Sequence, residues 1–517
     1  MRRVFPLLAV VLILIGLYVF LSSPSQIAAN RINGPAQAAP TSGVQVNATP
    51  VPSNVDLGSL GSPRVLAWNP NKTQLAWYSS KGGPVVVANS SAPSDIILTC
   101  GKSPAGDKAL VFLGGTTAKL YLMPLDGGTV LSLASSIGLS CAIPGLTQFS
   151  PDGQRLGTIN YALTVGNQHY TQGTLKVLKL SDGSEQFSQD GVASFNLQND
   201  GATFLQFFTN TKNEANAADI SFWDGSKTRK IEQNVQLLNK DPKKDCEFVT
   251  AKILRVDQNV YTMFGEHCTP GGTTWRLHLS SFSGGQAGTD VQTGPTPQNA
   301  SFFYSADTNN LFLMPGNKQA LVVLPNGGQS NLGDLNTLTL ADGTIKGVVG
   351  SVEVANYPPT APVRFLYSPK GDKLAFVTLT SAAVEQLFIY DLNSPDKAPV
   401  AVPNAGGTNN AGVQDKVPGV AWSGDGSKLF FDVTGNAQAL YSFDPSSSQS
   451  TMVVRGTYSS LAVNADGSAV ATGESVSQGF GVKPLQNLVV ISVSDGSKTN
   501  LIQGAKNDLP VVPVFVR

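Results

Sequence analysis

Three histidines and four cysteines are the side chains of this 517-residue sequence best suited to metal, redox or nucleophilic chemistry. They are thinly spread. Cys246 and Cys268 lie symmetrically about Asp257-Gln258-Asn259, so an antiparallel hairpin turning there would set them opposite each other, within bridging range. Cys100 and Cys141 precede neighbouring repeats about one repeat apart, which suits a bridge between adjacent units. All four are read as disulfides, because the chain carries the marks of export; buried thiols are the competing reading. No CxxC spacing occurs, and His169, His267 and His278 are too few and too scattered for a structural zinc site. His267 beside Cys268 is read as a hairpin end.

Other catalytic arrangements are missing. The chain has no GxSxG elbow, no HExxH and no EF-hand loop. Thr269 to Trp275 (TPGGTTW) has the glycines of a sialidase-type box without its Asp and Ser. Asp152, Asp425 and Asp466 recur once per repeat, which is the behaviour of a residue serving a turn. Trp68 and Trp422, just before such turns, are read as core. No catalytic residue, metal ligand or cofactor is assigned.

The elements that would position any site are repetitive. An apolar stretch leads into a Ser/Asn-Pro/Gly/Ala-X-Gly turn and out into another apolar stretch. The copies are AWNPNKTQLAW from Ala67, QFSPDGQRLGT from Gln148, LYSPKGDKLAF from Leu366, AWSGDGSKLFF from Ala421 and AVNADGSAVAT from Ala462. Weaker ones begin at Lys102, Leu197, Val256 and Tyr304. Pro presets φ, Asp or Asn tolerates the next position, and Gly supplies a positive φ. Val420 and Trp422 before a turn, and Leu429 and Phe431 after it, alternate with period two, as in half-buried strands. A second hairpin follows about 20 residues later, as in LYLMPLDGGT from Leu120 or LVVISVSDGS from Leu488. Each repeat is therefore an antiparallel sheet of about four strands, and stacking copies around an axis buries both faces.

The SPDG-x-x-LAF block followed by a LYxxDLDGG hairpin resembles the WD40-like, TolB-type (PD40) β-propeller repeat family, over roughly Ser62 to Arg517. The resemblance implies an all-β propeller of about eight four-stranded blades, with seven or nine compatible with eroded turns between Asn196 and Asn326. Val511 to Val516 is placed to close the ring or to form a tail.

Arg2-Arg3 precedes an uncharged apolar run, Val4 to Leu21, long enough to span a bilayer. Residues 1–21 are read as a signal-anchor, with cleavage near Ala29 or Ala38 as the alternative. Residues 22–61, rich in Ala, Pro, Ser and Thr, read as a flexible tether, and residues 62–517 as the propeller. The propeller is thus expected outside the membrane, periplasmic or extracellular, and secreted if the leader is removed.

Charged residues are 14% of the chain, with 35 basic balanced by 35 acidic. Without a basic block, a nucleic-acid partner has no electrostatic support. Insertions are better candidates for binding: 160–173 with Tyr161, His169 and Tyr170, 210–219, and 403–418. The leading reading is a membrane-tethered, non-catalytic module that binds a protein or peptide at its rim or channel mouth. The alternatives are a propeller hydrolase or lyase acting on extracellular glycans or lactones, and a surface or adhesion component.

Overall fold

The computed structural model describes Leu57, Leu60 to Arg517 less 90–95, 105, 115–118, 135–146, 165–170, 210–214, 238–244, 270–271, 296–310, 326–331, 354–364, 380–383, 409–413, 436–437, 480–481 and 506–507. The anchor segment and nearly all of the tether fall outside these residues. Leu57 and Leu60, assigned to the tether from sequence, are buried in the first core cluster. Among the described residues no helix is long and apolar enough to cross a membrane.

Among the described residues every element is a strand of an antiparallel sheet, and most fall into units of four. The first unit holds β1 (Arg64–Asn69), β2 (Gln74–Ser79) and β3 (Val85–Asn89), and the second β4 (Ile96–Lys102), β5 (Lys108–Gly114), β6 (Lys119–Pro124) and β7 (Leu131–Ala134). A seven-stranded sheet follows: β8 (Thr147–Phe149), β9 (Arg155–Thr164), β10 (Thr171–Lys179), β11 (Glu185–Gln198), β12 (Gly201–Thr209), β13 (Ala215–Trp223) and β14 (Thr228–Gln236). Next come β15 (Asp245–Val256), β16 (Asn259–Thr269), β17 (Gly272–Ser281) and β18 (Thr289–Pro295).

Then β19 (Leu311–Leu313), β20 (Gln319–Pro325), β21 (Leu332–Thr339) and β22 (Ile345–Glu353) are joined by one residue pair, Val352 with Thr378, to the next group. That group is β23 (Phe365–Tyr367), β24 (Lys373–Leu379), β25 (Glu385–Asp391), β26 (Val400–Thr408) and β27 (Gln414–Asp415). The last two sheets are β28 (Val420–Trp422), β29 (Leu429–Val433), β30 (Ala439–Asp444) and β31 (Gln449–Arg455), then β32 (Tyr458–Val463), β33 (Ala469–Val476), β34 (Leu485–Ser492) and β35 (Lys498–Ile502). The final strand, β36 (Val512–Val516), pairs with β1.

The long sheet is composite. From Glu185 to Val192 β11 pairs with β10, and from Val192 to Gln198 it pairs with β12. Gly191, at φ +76°, supplies the bend between the two halves. One strand thus ends one unit and begins the next.

Core residues lie between units rather than inside them, as a sheet with two apolar faces requires. Leu110, Phe112 and Leu120 meet Leu156, and Phe376 and Tyr390 meet Leu321 and Val323. Among the described residues there are nine such clusters (nine bodies of buried apolar side chains), and the one joining Ala462, Ala471 and Leu488 to Val65, Ala67 and Tyr78 links the last sheet to the first. The described chain is an all-β fold of β-propeller type. Trp68 and Trp422 are buried in this packing, as their place before the turns implied.

Three sequence assignments shift. Because β36 lies outside β1, the AWNPNKTQLAW hairpin joins the second and third strands of its sheet, not the first and second. In the sixth unit the turn is Pro315-Gly316-Asn317, beyond the weak copy at Tyr304; Gly316 and Asn317 both adopt positive φ there, without the expected Asp. Part of 403–418, read as an insertion, is strand: β26 runs to Thr408 and pairs with β27.

Candidate functional site

The repeated turn is a self-contained hydrogen-bonded device. Ser150 is fully buried; its Oγ accepts the Arg155 N–H at 2.9 Å and donates to Asp152 Oδ1 at 2.5 Å. The Gly153 N–H closes the turn on Ser150 O at 2.8 Å. Ser423 repeats this with Asp425 and Lys428, and Ser368 with Asp372 and Lys373. The Ser423 hydroxyl, followed by the Ser427 N–H, holds the Asp425 carboxyl down at about 2. These aspartates stabilise turns, and each is committed to that task.

A different set of polar residues joins the first strands of successive units. Gln148 on β8 donates Nε2 to Phe195 O at 2.8 Å and accepts the Leu197 N–H at 3.0 Å. Ser194 Oγ and Asn196 Oδ1 on β11 accept the N–H groups of Ile253 and Arg255, both at 3.2 Å, and Gln198 Nε2 donates to Arg255 O at 2.9 Å. Among the described residues β15, and β11 beyond Val192, have no further strand on this edge, so their backbone groups need other partners. The preceding unit supplies them from side chains.

Where these first strands meet, they enclose a cavity of about 530 Å³. Its walls come from β8, β11, β15 and β19, and the turn residues Pro151, Asp257 and Asn317 stand at its margin. The titratable lining groups are Lys252, Arg255 and Asp257. Arg255 is 5% exposed and sits over the rings of Phe222 and Phe282, 5.0 and 4.4 Å from their centroids. Its Nη2 donates to Gln198 Oε1 at 3.3 Å and pairs with Asp200. Its Nη1 is buried with no hydrogen-bond partner.

A second buried polar cluster lies between β14 and β17. His278 Nδ1 is 2.9 Å from Asp290 Oδ1, and Nε2 is 3.1 Å from Glu232 Oε2. Glu232 also accepts Ser280 Oγ–H at 2.6 Å and the Gly288 N–H at 2.8 Å, while Arg276 pairs with Asp290 at 3.2 Å. Ser, His and carboxylates meet here, but not as a nucleophile and its base. Ser280 is fully buried and its hydroxyl is given to Glu232. Among the described residues, no group of three or more His, Cys, Asp or Glu is placed to hold a metal ion.

The residues singled out from sequence scatter. Tyr161 lies on β9, and His169 and Tyr170 lie outside the described residues, as does Cys141. Cys100 is on β4. Cys246 on β15 stands directly opposite Cys268 on β16, in the register expected of a hairpin turning at Asp257. Neither buried cluster was anticipated. The glutamine, asparagine and serine positions of β8 and β11 alternate with apolar residues like any exposed strand face, so nothing in their spacing distinguishes them.

No protein-family model matches the chain, and no curated protein sequence does. Solved structures similar to it include a prolyl endopeptidase (12% identity over 77% of this chain and 54% of that one, TM-score 0.41). A eukaryotic initiation factor aligns over 88% of this chain and 98% of its own at 14% identity, TM-score 0.47. An oligogalacturonate lyase from Vibrio parahaemolyticus aligns at 11% identity over 78% and 76%, TM-score 0.35. The chain thus spans about half of the endopeptidase.

Proposed function

We propose that this chain is a membrane-tethered, extracytoplasmic binding propeller that holds a peptide or other extended polar ligand in the cavity between its first strands. The observation that carries this reading is the cavity itself: about 530 Å³, walled by strands of four successive units, with Gln148, Ser194, Asn196 and Gln198 among its lining residues. That volume falls in the usual range for ligand sites. Its lining holds one carboxylate and no histidine, a composition suited to recognition rather than to paired acid–base chemistry.

The same reading takes the ring to have nine blades, one more than the number preferred from sequence. β11 is shared by two of them, and β36 completes the first. The apolar segment 1–21 is taken as its anchor, with the TolB-type repeat as the underlying sequence unit.

A photo-crosslinking residue at exposed Asn317, on the cavity margin, is expected to capture a discrete partner from envelope membranes. The same group at Ser447, in an outer hairpin, is the control. Leu313→Trp, which fills the cavity from β19, is expected to abolish the capture. Equal labelling from both positions, or capture indifferent to the filled cavity, would sink the reading.

A second reading places turnover in the same cavity, as hydrolysis or lysis of an extracellular peptide, glycan or lactone. Asp257 and Lys252 in one wall favour it, and an endopeptidase and an oligogalacturonate lyase are among the similar structures. Turnover on a panel of peptides, oligogalacturonates and lactones, lost in Asp257→Asn, would establish it over binding alone.

A further inference from the structure

Within that cavity, we propose that the ligand is an extended peptide that adds as a strand to the free edge of β19, pairing with the backbone N–H and C=O of Leu313; this rests on reading the cavity as a ligand site. β19 is the terminal strand of its sheet. The Met314 N–H closes on Gln319 O at 2.9 Å, and Leu313 stands opposite Ala320 in the next register position. Antiparallel pairing alternates, so Met314 and Phe312 direct their backbone groups to β20, while Leu311 and Leu313 direct theirs away from it. Among the described residues, no hydrogen bond reaches the Leu313 N–H or C=O. Leu313 is half-buried and lines the cavity.

The two preceding boundaries show what this edge lacks. Ile253 and Arg255 on β15 also direct backbone groups away from their sheet, and Ser194, Asn196 and Gln198 of the preceding unit bond them. Gln198 faces Gly201 across its turn as Val256 faces Asn259 across the next one. Leu254 and Val256 therefore stand where Asn196 and Gln198 stand, and neither side chain can bond a backbone group. They pack instead with Ala320 and Val322, with Leu313 beside them. The side chains that take the place of a strand at two successive boundaries thus stop before β19, where the cavity lies.

A bare strand edge presents donors and acceptors at the spacing of a polypeptide, which is how peptides bind by strand addition. Leu254, Val256, Phe312 and Leu313 all line the cavity, so an apolar side chain on the added strand has a surface to cover.

The probe is a pool of randomised, terminally blocked hexapeptides passed over the immobilised full chain. The enriched sequence is then remade with a single N-methyl amide at each position in turn. Binding is expected to fall at least tenfold for N-methylation at residues two apart and less than threefold for the residue between, because alternate N–H groups of a strand face its neighbour. Leu313→Pro removes the edge-facing N–H without taking a bond from the β19–β20 ladder. It is expected to weaken the peptide about tenfold, with thermal unfolding retained. Leu313→Ala keeps that N–H and is expected to bind within threefold of the parent. If Leu313→Pro does not fold, the N-methyl series decides.

Failure to enrich any peptide, an N-methyl series without the two-residue alternation, or undiminished binding by Leu313→Pro would overturn strand addition. If Leu313→Trp still abolishes crosslinking from Asn317 in that event, the cavity remains a ligand site and its occupant is not a peptide strand. If that crosslinking is itself absent, the broader reading falls first.

Discussion

Gln148 accepts the backbone N–H of Leu197 at 3.0 Å across the boundary between two units, and the same amide donates to the carbonyl two residues back. A side chain here takes the place a neighbouring strand would fill. Gln148→Ala would leave a donor and an acceptor of β11 unpaired in a half-buried place, at a cost of about 1–3 kcal/mol. Gln148→Glu keeps the acceptor and loses the donor, and is expected to cost less than Ala at neutral pH. Denaturant unfolding of the three proteins would check the order. Equal stabilities would mean that water satisfies the edge.

The cluster at Glu232 and His278 predicts a coupled loss. Each ring nitrogen of His278 faces a carboxylate oxygen, and Glu232 holds both the ring and Ser280. His278→Ala takes a hydrogen-bond partner from the buried Glu232 carboxylate and is expected to destabilise by about 1–3 kcal/mol. The Glu232→Gln and Ser280→Ala effects should be non-additive, because they share one hydrogen bond. A double-mutant cycle giving strict additivity would show that the cluster does not act as a unit.

These two networks show where sequence reading runs out. The hairpins were legible because a turn needs particular residues at fixed offsets: Pro151, Asp152 and Gly153 announce their conformation locally. Core positions such as Trp422 and Phe431 were legible from period two. Gln148 and Asn196 were not, because their partners lie 49 and 59 residues away and a glutamine beside an apolar neighbour reads as ordinary solvent-facing strand. The boundary between the third and fourth units was blurred for a physical reason too: β11 serves both. Of the insertions that drew attention, His169 and Tyr170 lie outside the described residues, whereas the cavity is built from β8, β11, β15 and β19.

The turn aspartates predict a pH dependence. In the folded chain the Asp425 carboxyl is held at about 2, below its ordinary value of 3.8, first by the Ser423 hydroxyl. A folded value below the unfolded one means the contribution is complete above pH of about 4 and fades as pH falls through 2. The side chain is exposed on one side, so the effect per turn is small. NMR titration should place Asp425 near 2, and Ser423→Ala should move it upward. A midpoint unaffected by that substitution would rule out the hydroxyl as the cause.

Cys246 and Cys268 occupy opposing positions on β15 and β16. In an oxidising compartment they are expected to form a disulfide closing the hairpin, worth about 3 kcal/mol by the loop-entropy estimate. Peptide mapping without reductant should recover the two cysteines in one linked species. Recovery of two separately alkylated thiols from protein isolated under oxidising conditions would reject the bridge.

Ring closure depends on the last strand. Arg64 and Arg517 exchange both backbone hydrogen bonds, at 2.8 and 2.9 Å, and both guanidiniums reach Asp126 in the next unit. Phe515 is 4% exposed in the first core cluster, with the Lys102 ammonium 4.9 Å from its ring. Phe515→Ala is expected to cost about 3–5 kcal/mol. Removing residues 511–517 should do more than subtract that burial, because it bares the edge of β1 and the adjoining face of β32 together. The truncated chain is expected to lose its single cooperative transition and to self-associate. A synthetic VVPVFVR peptide, supplied in trans, should restore the transition by pairing with β1. Calorimetry and light scattering read both outcomes, and a truncated chain that unfolds like the parent would show that β36 decorates the ring without closing it.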